Sequence, residues 1–284
     1  MEQDDLILDR INHLPSLPPV LARITEVVSH PEASVNTIVE ALKLDPGICS
    51  KVLRLANSAY VGIPRTVSSL HNAVVILGQR RIQSLVLAAH TLAAFGCTTA
   101  ALPFSGVAFW RHSVTVAIIC ESIARHLKRY DAVEAGELFC SGILHDVGKL
   151  ALAVFDPGRI EQTAREAKGK AEPFFSVEDH ALSHFTVGAL LAQRWNFPPD
   201  LRNAILYHHD PANAEPFTRM AGIVHLADVM AHIIGHTTFE DEVSPPIDER
   251  AITDIELQPE RLRVIAITAI EDEKRLESLI EFIR

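Results

Sequence analysis

Apolar residues recur at helical spacing along most of this chain. In ASVNTIVEALKL (residues 33–44), apolar side chains fall at positions i, i+3, i+4 and i+7 counted from Val35, and Ser34 stands where an N-cap belongs. No run shows the sustained apolar–polar alternation between hairpin turns that is typical of half-buried strands. The sequence therefore predicts an all-α protein of about twelve to fourteen helices.

Capping residues mark several helix ends. Asp45 followed by Pro46 predicts the start of a helix. Gly78, which closes SSLHNAVVILG, predicts the end of another. In SVEDHALSHFTVGALLAQRW, Ser176 and Asp179 are close to a capping box, which predicts one long helix from there to the prolines that follow.

Two breaks divide the chain. FGCTTAALPFSG (residues 95–106) is rich in small residues and contains Gly and Pro, as a connector between helical bundles does. TTFEDEVSPPIDE (residues 237–249) is acidic and contains two adjacent prolines. We therefore predict an N-terminal helical bundle over residues 1–100 and a second over residues 101–236, packed on one another. An acidic linker and a C-terminal helical tail, over residues 237–284, should cover part of the second bundle.

Charge and apolar length limit the classes of partner. The formal net charge is −10, which disfavours bulk binding to nucleic acid or to an anionic membrane. The adjacent Arg80 and Arg81 are expected on a solvated helix face. No apolar run is long enough to cross a bilayer, and the start MEQDDLILDR lacks the basic region of a signal peptide. A cytoplasmic protein is expected, with no membrane partner.

The cysteines are widely spaced and lie in apolar segments. This spacing does not support a Cys-rich zinc site, and it indicates buried thiols in a reducing compartment. The four positions are Cys49, Cys97, Cys120 and Cys140.

Histidines are concentrated in the second predicted bundle. Ten of the fourteen lie between His112 and His236. Together with nearby aspartates they offer imidazole nitrogens and carboxylate oxygens, a combination that suits Fe, Mn, Zn or Ni. The candidate metal ligands, in chain order, are His112, His145, Asp146, His184, His208, His209 and Asp228. Four others are expected to be ordinary solvent-exposed histidines: His126, His180, His232 and His236.

The same residues also allow an interpretation without a metal. Asp146 and Lys149, three residues apart in GILHDVGKL, would then form an ordinary helical ion pair. His208 and His209 would stabilise the end of a helix through its dipole. Asp228 would simply be solvated.

Six segments make the chain resemble the HDOD family, which belongs to the HD-domain superfamily and is related to the HD-GYP metal-dependent phosphohydrolases. They are LPSLPPVLARI, LKLDPGICSKVLRLANSAY, SLHNAVVILG, GILHDVGKL, HFTVGALLAQRWNFPPDLRNAILYHH and IVHLADVMAH, and they lie between residues 14 and 236. HDOD proteins are bacterial, α-helical and mostly regulatory. The resemblance implies an HD-domain-like fold for the second bundle and a role in signal transduction.

The resemblance also implies a role for each candidate ligand. The HD metal quartet matches His112, His145, Asp146 and Asp228, and the additional ligands of two-metal members match His184, His208 and His209. Asp146 would bridge two divalent ions, since a carboxylate offers two oxygens. Lys149 matches a lysine that faces the phosphate in catalytic relatives. Gly142 and Gly188 would let neighbouring backbones approach closely.

Two functions remain open at this point. The predicted one is a regulatory module that senses a small molecule, a metal or a partner and acts through a signalling protein. The alternative is a metal-dependent phosphohydrolase that acts on a nucleotide or phosphate ester. HHDPANAEPF lacks the Gly-Tyr-Pro of the HD-GYP branch, which argues against hydrolysis of cyclic dinucleotides. Ala108 stands where three-metal relatives place a glutamate, so a third ion is not expected.

Overall fold

The fold is all-α, as predicted. The computed structural model describes residues 9, 22–24, 26–27, 30, 32–58, 61–64, 66–94, 102–127, 130, 132–195, 197–216, 218–255, 257–270 and 273–283. Within these residues there are fourteen α-helices, three short 3₁₀ helices and no strand. Most of the predicted break at 95–106, and Cys97 within it, lie outside the described residues.

The helices follow one another with short connections. In chain order they are α1 (Val35–Leu42), α2 (Pro46–Ala56), α3 (Leu70–Leu77), α4 (Gln79–Ala94), α5 (Gly106–Leu127), α6 (Ala132–Leu144), α7 (Val147–Phe155), α8 (Pro157–Lys170), α9 (His184–Arg194), α10 (Pro199–Tyr207), α11 (Thr218–Ile233), α12 (Glu249–Ile255), α13 (Pro259–Ile270) and α14 (Glu273–Ile283). The 3₁₀ helices are Phe174–Val177, His180–Leu182 and Pro211–Asn213.

The predicted caps of the first helices are confirmed. The Ser34 hydroxyl accepts a hydrogen bond from the backbone N–H of Thr37 at the start of α1. The Asp45 carboxylate accepts from the N–H groups of the first turn of α2. Gly78 ends α3 with a φ of +80°, a left-handed value that favours glycine.

The predicted start of α9 is wrong. A single helix does not run from Ser176, because two short 3₁₀ helices precede α9 and the helix begins only at His184. The Asp179 side chain caps the second 3₁₀ helix. Ser183 caps α9 by accepting from the N–H of Thr186. Two capping residues compete in this stretch, and the second one starts the long helix.

Helix α5 forms the centre of the molecule. It packs against α6, α11, α13 and α14, and most of its side chains are buried. Gly106–Leu127 and the stretch Glu134–Phe155 are long and apolar enough, by composition, to cross a bilayer. However, 78% and 89% of their most apolar windows are buried inside the protein. Such burial is the pattern of core helices.

The C-terminal tail packs on both halves of the molecule. Helix α13 lies against α5, as expected for a tail that covers the second bundle. Helix α14 contacts α5 but also α2 and α4 of the N-terminal part. Its apolar face, which includes Leu279 and Ile283, is buried there. The division into residues 1–100, 101–236 and 237–284 stays a prediction.

Arg80 and Arg81 join α4 to the helices of the second bundle. Arg80 pairs with Glu137 on α6 at 3.1 Å, and Arg81 pairs with Glu121 on α5. The side chains of Arg80 and Arg81 are only 19% and 16% exposed. The expectation of a solvated arginine face is therefore wrong, because both charges have partners on neighbouring helices.

The described cysteines are free thiols. Cys120 and Cys140 are buried, and Cys49 is partly buried. Burial raises the pKa of the Cys140 thiol to about 12 and also raises that of Cys120. These two thiols are thus kept protonated, and the prediction that they are buried is confirmed.

Candidate metal centre

The structure brings all seven candidate ligands together. They come from five separate places in the chain, and all of them are buried except His209, whose side chain is still only 9% exposed. His112 lies on α5, His145 and Asp146 form the turn between α6 and α7, His184 begins α9, His208 and His209 follow α10, and Asp228 lies on α11.

Glycine allows two of these elements to approach each other. A Cβ atom at Gly148, on α7, would overlap the backbone oxygen of His184 and lie 2.7 Å from the nitrogen of Gly188. A Cβ at Gly142 would lie 2.6 Å from the Cα of Ala117 on α5. The close approach expected at Gly142 and Gly188 is confirmed. Gly148, which the sequence did not single out, is the most crowded of the three.

One group of ligands surrounds the side of Asp146 that faces α5. The Nε2 atom of His112 lies 3.2 Å from Nε2 of His145 and 3.2 Å from Oδ1 of Asp228. The Oδ2 atom of Asp146 is 3.5 Å from Nε2 of both His112 and His145. These four residues are the predicted quartet, and they converge on one point.

A second group surrounds the other oxygen of Asp146. The Nε2 atom of His184 lies 3.3 Å from Asp146 Oδ1, 3.3 Å from Nε2 of His208 and 3.2 Å from Nε2 of His209. Phe175 stacks on the His209 ring at 4.1 Å and forms the outer wall of this group. Asp146 thus turns one oxygen to each group, which is the arrangement that a bridging ligand needs.

The ring orientations leave Nε2 free to bind a cation. In four of the histidines, Nδ1 contacts an oxygen that can only accept, so Nδ1 carries the proton and Nε2 keeps its lone pair. Three of them donate to backbone carbonyls at 2.8 Å: His112 to His236, His145 to Gly142 and His208 to Ile205. The fourth, His184, donates to the carboxylate of Glu178.

The carboxylates of the centre lack aligned hydrogen-bond donors. No described residue gives a well-aligned hydrogen bond to any oxygen of Asp146 or Asp228, although all four atoms are buried. Lys149 and His232 lie close to these carboxylates without such alignment. Carboxylate oxygens that also converge with imidazole lone pairs leave a place that suits a cation. The residues present therefore fit a divalent metal, and three groups of ligand atoms, two of which share His112, have the spacing for one.

The protonation states of the buried groups suit metal binding. Burial lowers the pKa of His145, and lowers the pKa values of His208 and His209 well below the ordinary value. Burial alone would raise the pKa of Asp146, but the ammonium of Lys149 beside it holds that pKa well below its usual range. Neutral imidazoles and an ionised carboxylate are the forms that bind metal ions.

Lys149 lies inside the protein beside Asp146. Its Nζ is 2.9 Å from Oδ2 of Asp146 and 3.5 Å from Oε1 of Glu242, and its side chain is 3% exposed. The rings of Phe174 and Phe239 cover it, with centroids 5.2 Å and 5.9 Å from Nζ. The pair with Asp146 does have the spacing of a helical ion pair. Its burial, however, separates it from the solvated pairs that this spacing usually indicates.

His232 is a further buried histidine beside Asp228, and its sequence pattern did not single it out. It was expected to be solvent-exposed, but its side chain is 3% exposed and Nδ1 lies 3.1 Å from Oδ1 of Asp228. His236 also contributes, through the carbonyl that accepts from His112. The expectation is confirmed for His126 and His180, which are exposed. The spacing of His232, four residues after Asp228 on one helix, is the signal that would have found it.

Two glutamates support the centre from outside it. The Glu178 carboxylate accepts from both the backbone N–H and the ring Nδ1–H of His184. The Glu242 side chain is 4% exposed, and its Oε1 lies 3.6 Å from Nε2 of His232. Glu242 belongs to the acidic stretch that was predicted only as a linker.

Comparison with known proteins agrees with this architecture. The HDOD domain family matches residues 14–211 of the chain. An uncharacterized protein of Treponema pallidum (strain Nichols) is 26% identical over 240 residues, or 82% of this chain and 45% of that protein. The chain thus spans less than half of this relative's length.

Solved structures share the fold. A protein of Shewanella amazonensis SB2B, provisionally named a phosphohydrolase, is 27% identical with a TM-score of 0.73, and 98% of each chain is covered. A protein of Marinobacter aquaeolei VT8, provisionally named a signal transduction protein, is 20% identical with a TM-score of 0.78, covering 95% of this chain and 60% of that one. Since the family match spans well over half of its residues, the chain belongs to the HDOD family.

Proposed function

We propose that this chain is a cytoplasmic regulatory module of bacterial signal transduction whose HD-like half holds one or two divalent metal ions. The observation that carries the proposal is the closure of the centre, because the side chains of Asp146, His145 and His184 are 0–1% exposed. A catalytic metal centre needs a position that water or substrate can reach, and side chains this deeply buried leave no such access. Iron, manganese, zinc and nickel all suit the ligands.

A bound ion would stabilise the fold by joining ligands from separate helices. It would remove the repulsion between lone pairs that now face one another, and ligand binding to the folded state alone raises stability by mass action. The occupancy of the centre would therefore change the rigidity of α5, α7, α9 and α11 together.

The ion pairs of Arg80 and Arg81 would transmit this change in rigidity to the N-terminal part of the chain. On α4, Arg80 forms an ion pair with Glu137 of α6, and Arg81 forms one with Glu121 of α5. Helix α5 carries His112, and α6 leads directly into His145 and Asp146. We therefore expect metal binding or loss to change the position or rigidity of α4. A protein partner that binds near α4 would then detect whether the centre holds a metal.

Metal analysis combined with hydrogen exchange tests the proposal. The purified protein should contain one or two equivalents of a divalent metal by inductively coupled plasma mass spectrometry. Chelation should lower the melting temperature and speed amide exchange in α4 as well as in α11. A chain that stays metal-free after expression in metal-supplemented medium, with a melting temperature unmoved by chelator, contradicts the proposal.

A phosphohydrolase is the second candidate. The ammonium of Lys149 lies 2.9 Å from the carboxylate that faces both histidine groups, where it could contact a phosphoryl oxygen. The Shewanella amazonensis relative also carries a phosphohydrolase name. Metal-loaded protein should be tested against nucleotides, cyclic dinucleotides and p-nitrophenyl phosphate, with Asp146→Asn as the inactive control. Turnover by the wild type that Asp146→Asn abolishes would favour the hydrolase over the regulatory module.

A further inference from the structure

One carboxylate from the acidic stretch is bound in the manner of an anionic ligand. The Oε2 atom of Glu242 accepts from the backbone N–H groups of Thr238 and Phe239, both at 3.1 Å. Its Oε1 atom lies 3.5 Å from Nζ of Lys149 and 3.6 Å from Nε2 of His232. Two cationic side chains and two backbone amides are a set of groups that proteins use to hold oxyanions.

The charges of these groups match that description. Burial opposes the charged forms of Glu242, Lys149 and His232, but the attraction between their opposite charges outweighs this cost. Nζ of Lys149 and Nε2 of His232 both face Oε1 of Glu242, at 3.5 Å and 3.6 Å. Lys149 and His232 in turn lower the pKa of Glu242 to about 2. An ionised carboxylate is thus buried between two cations.

The same segment places an aromatic cover over Lys149. The ring of Phe239 stacks on Phe174 with centroids 4.7 Å apart, and it meets Phe104 edge to face at 5.5 Å. These contacts leave Lys149 only 3% exposed. The chain around Glu242 therefore supplies both the anion that Lys149 contacts and the surface that keeps water from it.

We propose that residues 237–243 form an internal latch, in which the Glu242 carboxylate occupies the position of a phosphoryl or other tetrahedral oxyanion beside the metal centre. The centre accepts such an anion only when the latch is displaced. This inference rests on the proposed function, since the latch covers the metal centre assigned there. A displaceable latch also explains why a lysine suited to contact phosphate lies in a centre that is closed to solvent.

The segment has few other contacts to hold it. Between α11 and α12 it forms no regular secondary structure from Glu242 to Asp248. A shallow cleft, partly open to solvent, lies between it and α8. On this outer side Asp241 pairs with Lys168 at 2.9 Å, but both side chains are more than half exposed, and such pairs contribute little. The ion pairs of Glu242 and the ring contacts of Phe239 therefore hold the latch against Lys149.

Phosphate binding by matched variants tests the latch. Inorganic phosphate is titrated by calorimetry into the wild type, Glu242→Gln and Asp241→Asn, with metal content and circular dichroism measured for each. Glu242→Gln removes the competing charge at nearly constant volume, so phosphate should bind about tenfold more tightly than to the wild type. Asp241→Asn, in the same segment but facing outward, should match the wild type. Equal affinities in folded wild type and Glu242→Gln overturn the proposal.

Hydrogen exchange of the wild type decides the question if Glu242→Gln does not fold. The amides of Thr238 and Phe239 lose their acceptor when Glu242 leaves, so saturating phosphate should speed their exchange, whereas chloride at equal ionic strength should not. Unchanged exchange overturns the latch. Metal content separates this result from the proposed function. A metal-loaded protein without a phosphate response refutes only the latch, and a metal-free protein with the response refutes only the metal centre.

Discussion

The Nε2 atoms of His112 and His145 lie 3.2 Å apart, although each ring contacts a backbone carbonyl through Nδ1. A neutral imidazole has one N–H, and the carbonyl takes it. Two lone pairs therefore face each other inside the protein, and Oδ2 of Asp146 lies 3.5 Å from both Nε2 atoms. A cation between them turns this repulsion into attraction.

The first prediction concerns the dependence of stability on metal. His112→Gln should abolish the part of the melting temperature that chelator removes, because it deletes one ligand of the quartet. In the wild type, free metal at a hundred times its dissociation constant should add about 3 kcal/mol to the free energy of unfolding. Differential scanning fluorimetry with and without chelator measures both effects.

The matched control for this prediction is His126→Gln. His126 lies on the same helix but is exposed, so its replacement should leave the chelator effect intact. An equal loss in both variants would mean that the histidines of α5 act on helix stability and not on a metal.

The second prediction concerns Glu178, which holds His184 by two contacts. Glu178→Gln should weaken binding of one ion by about 10–100-fold, because such partners orient the ligand and raise its basicity. The neighbouring Asp179→Asn, which alters only the cap of a short 3₁₀ helix, should bind metal as the wild type does. Competition with a chromogenic chelator gives the affinities, and identical values for the two variants would exclude a role for Glu178.

The third prediction compares two glycines of helices. Gly148→Ala should destabilise the protein by about 1–3 kcal/mol or more, because a methyl group there overlaps the backbone of α9 at His184. Gly169→Ala has open space around it on α8 and should stabilise by about 0.5–1 kcal/mol. Urea denaturation measures the two free energies. A stabilising Gly148→Ala would contradict the close packing of α7 and α9.

The fourth prediction concerns the metal-free protein at falling pH. The pKa values of His145, His208 and His209 are lower in the folded chain than the ordinary value of 6.5. The unfolded chain therefore binds protons first, and the free energy of unfolding should fall as the pH drops below about 6.5. The raised pKa of His232 acts in the opposite sense, since its contribution is present below 6.5 and is lost as the pH rises through the folded value.

Because three histidines with lowered pKa values oppose one with a raised pKa, the free energy of unfolding should fall between pH 7 and pH 5. Urea denaturation of chelated protein at several pH values measures this slope. His209→Gln should flatten it, because one of the three groups is then removed. A free energy of unfolding that stays constant over this range would contradict the burial of neutral imidazoles.

Part of the candidate centre could be predicted from short patterns in the sequence, and the roles of its members from the resemblance to the HDOD family. His145 and Asp146 adjoin one another, and His208 and His209 do so as well. Helical periodicity and caps likewise predicted the all-α fold. Patterns of this kind involve residues only a few positions apart, so they can be recognised without knowing the tertiary structure.

The supporting residues depend on contacts between distant parts of the chain. Glu242 meets Lys149 across 93 residues, and Arg81 meets Glu121 across 40. An acidic connector and a pair of arginines look solvated when only their neighbours in sequence are considered. Their burial follows from how the helices pack, and no local pattern reports it.

The position of α14 has a consequence for how the chain is made. Residues 273–283 leave the ribosome after every other described helix, yet they cover α2 and α4 from the beginning of the fold and α5 from its centre. Until they emerge, the apolar surfaces that receive Leu276, Leu279 and Ile280 have no cover. The N-terminal part therefore cannot finish folding until α14 has been synthesised, and a nascent chain that stalls before α14 exposes apolar surfaces that chaperones recognise.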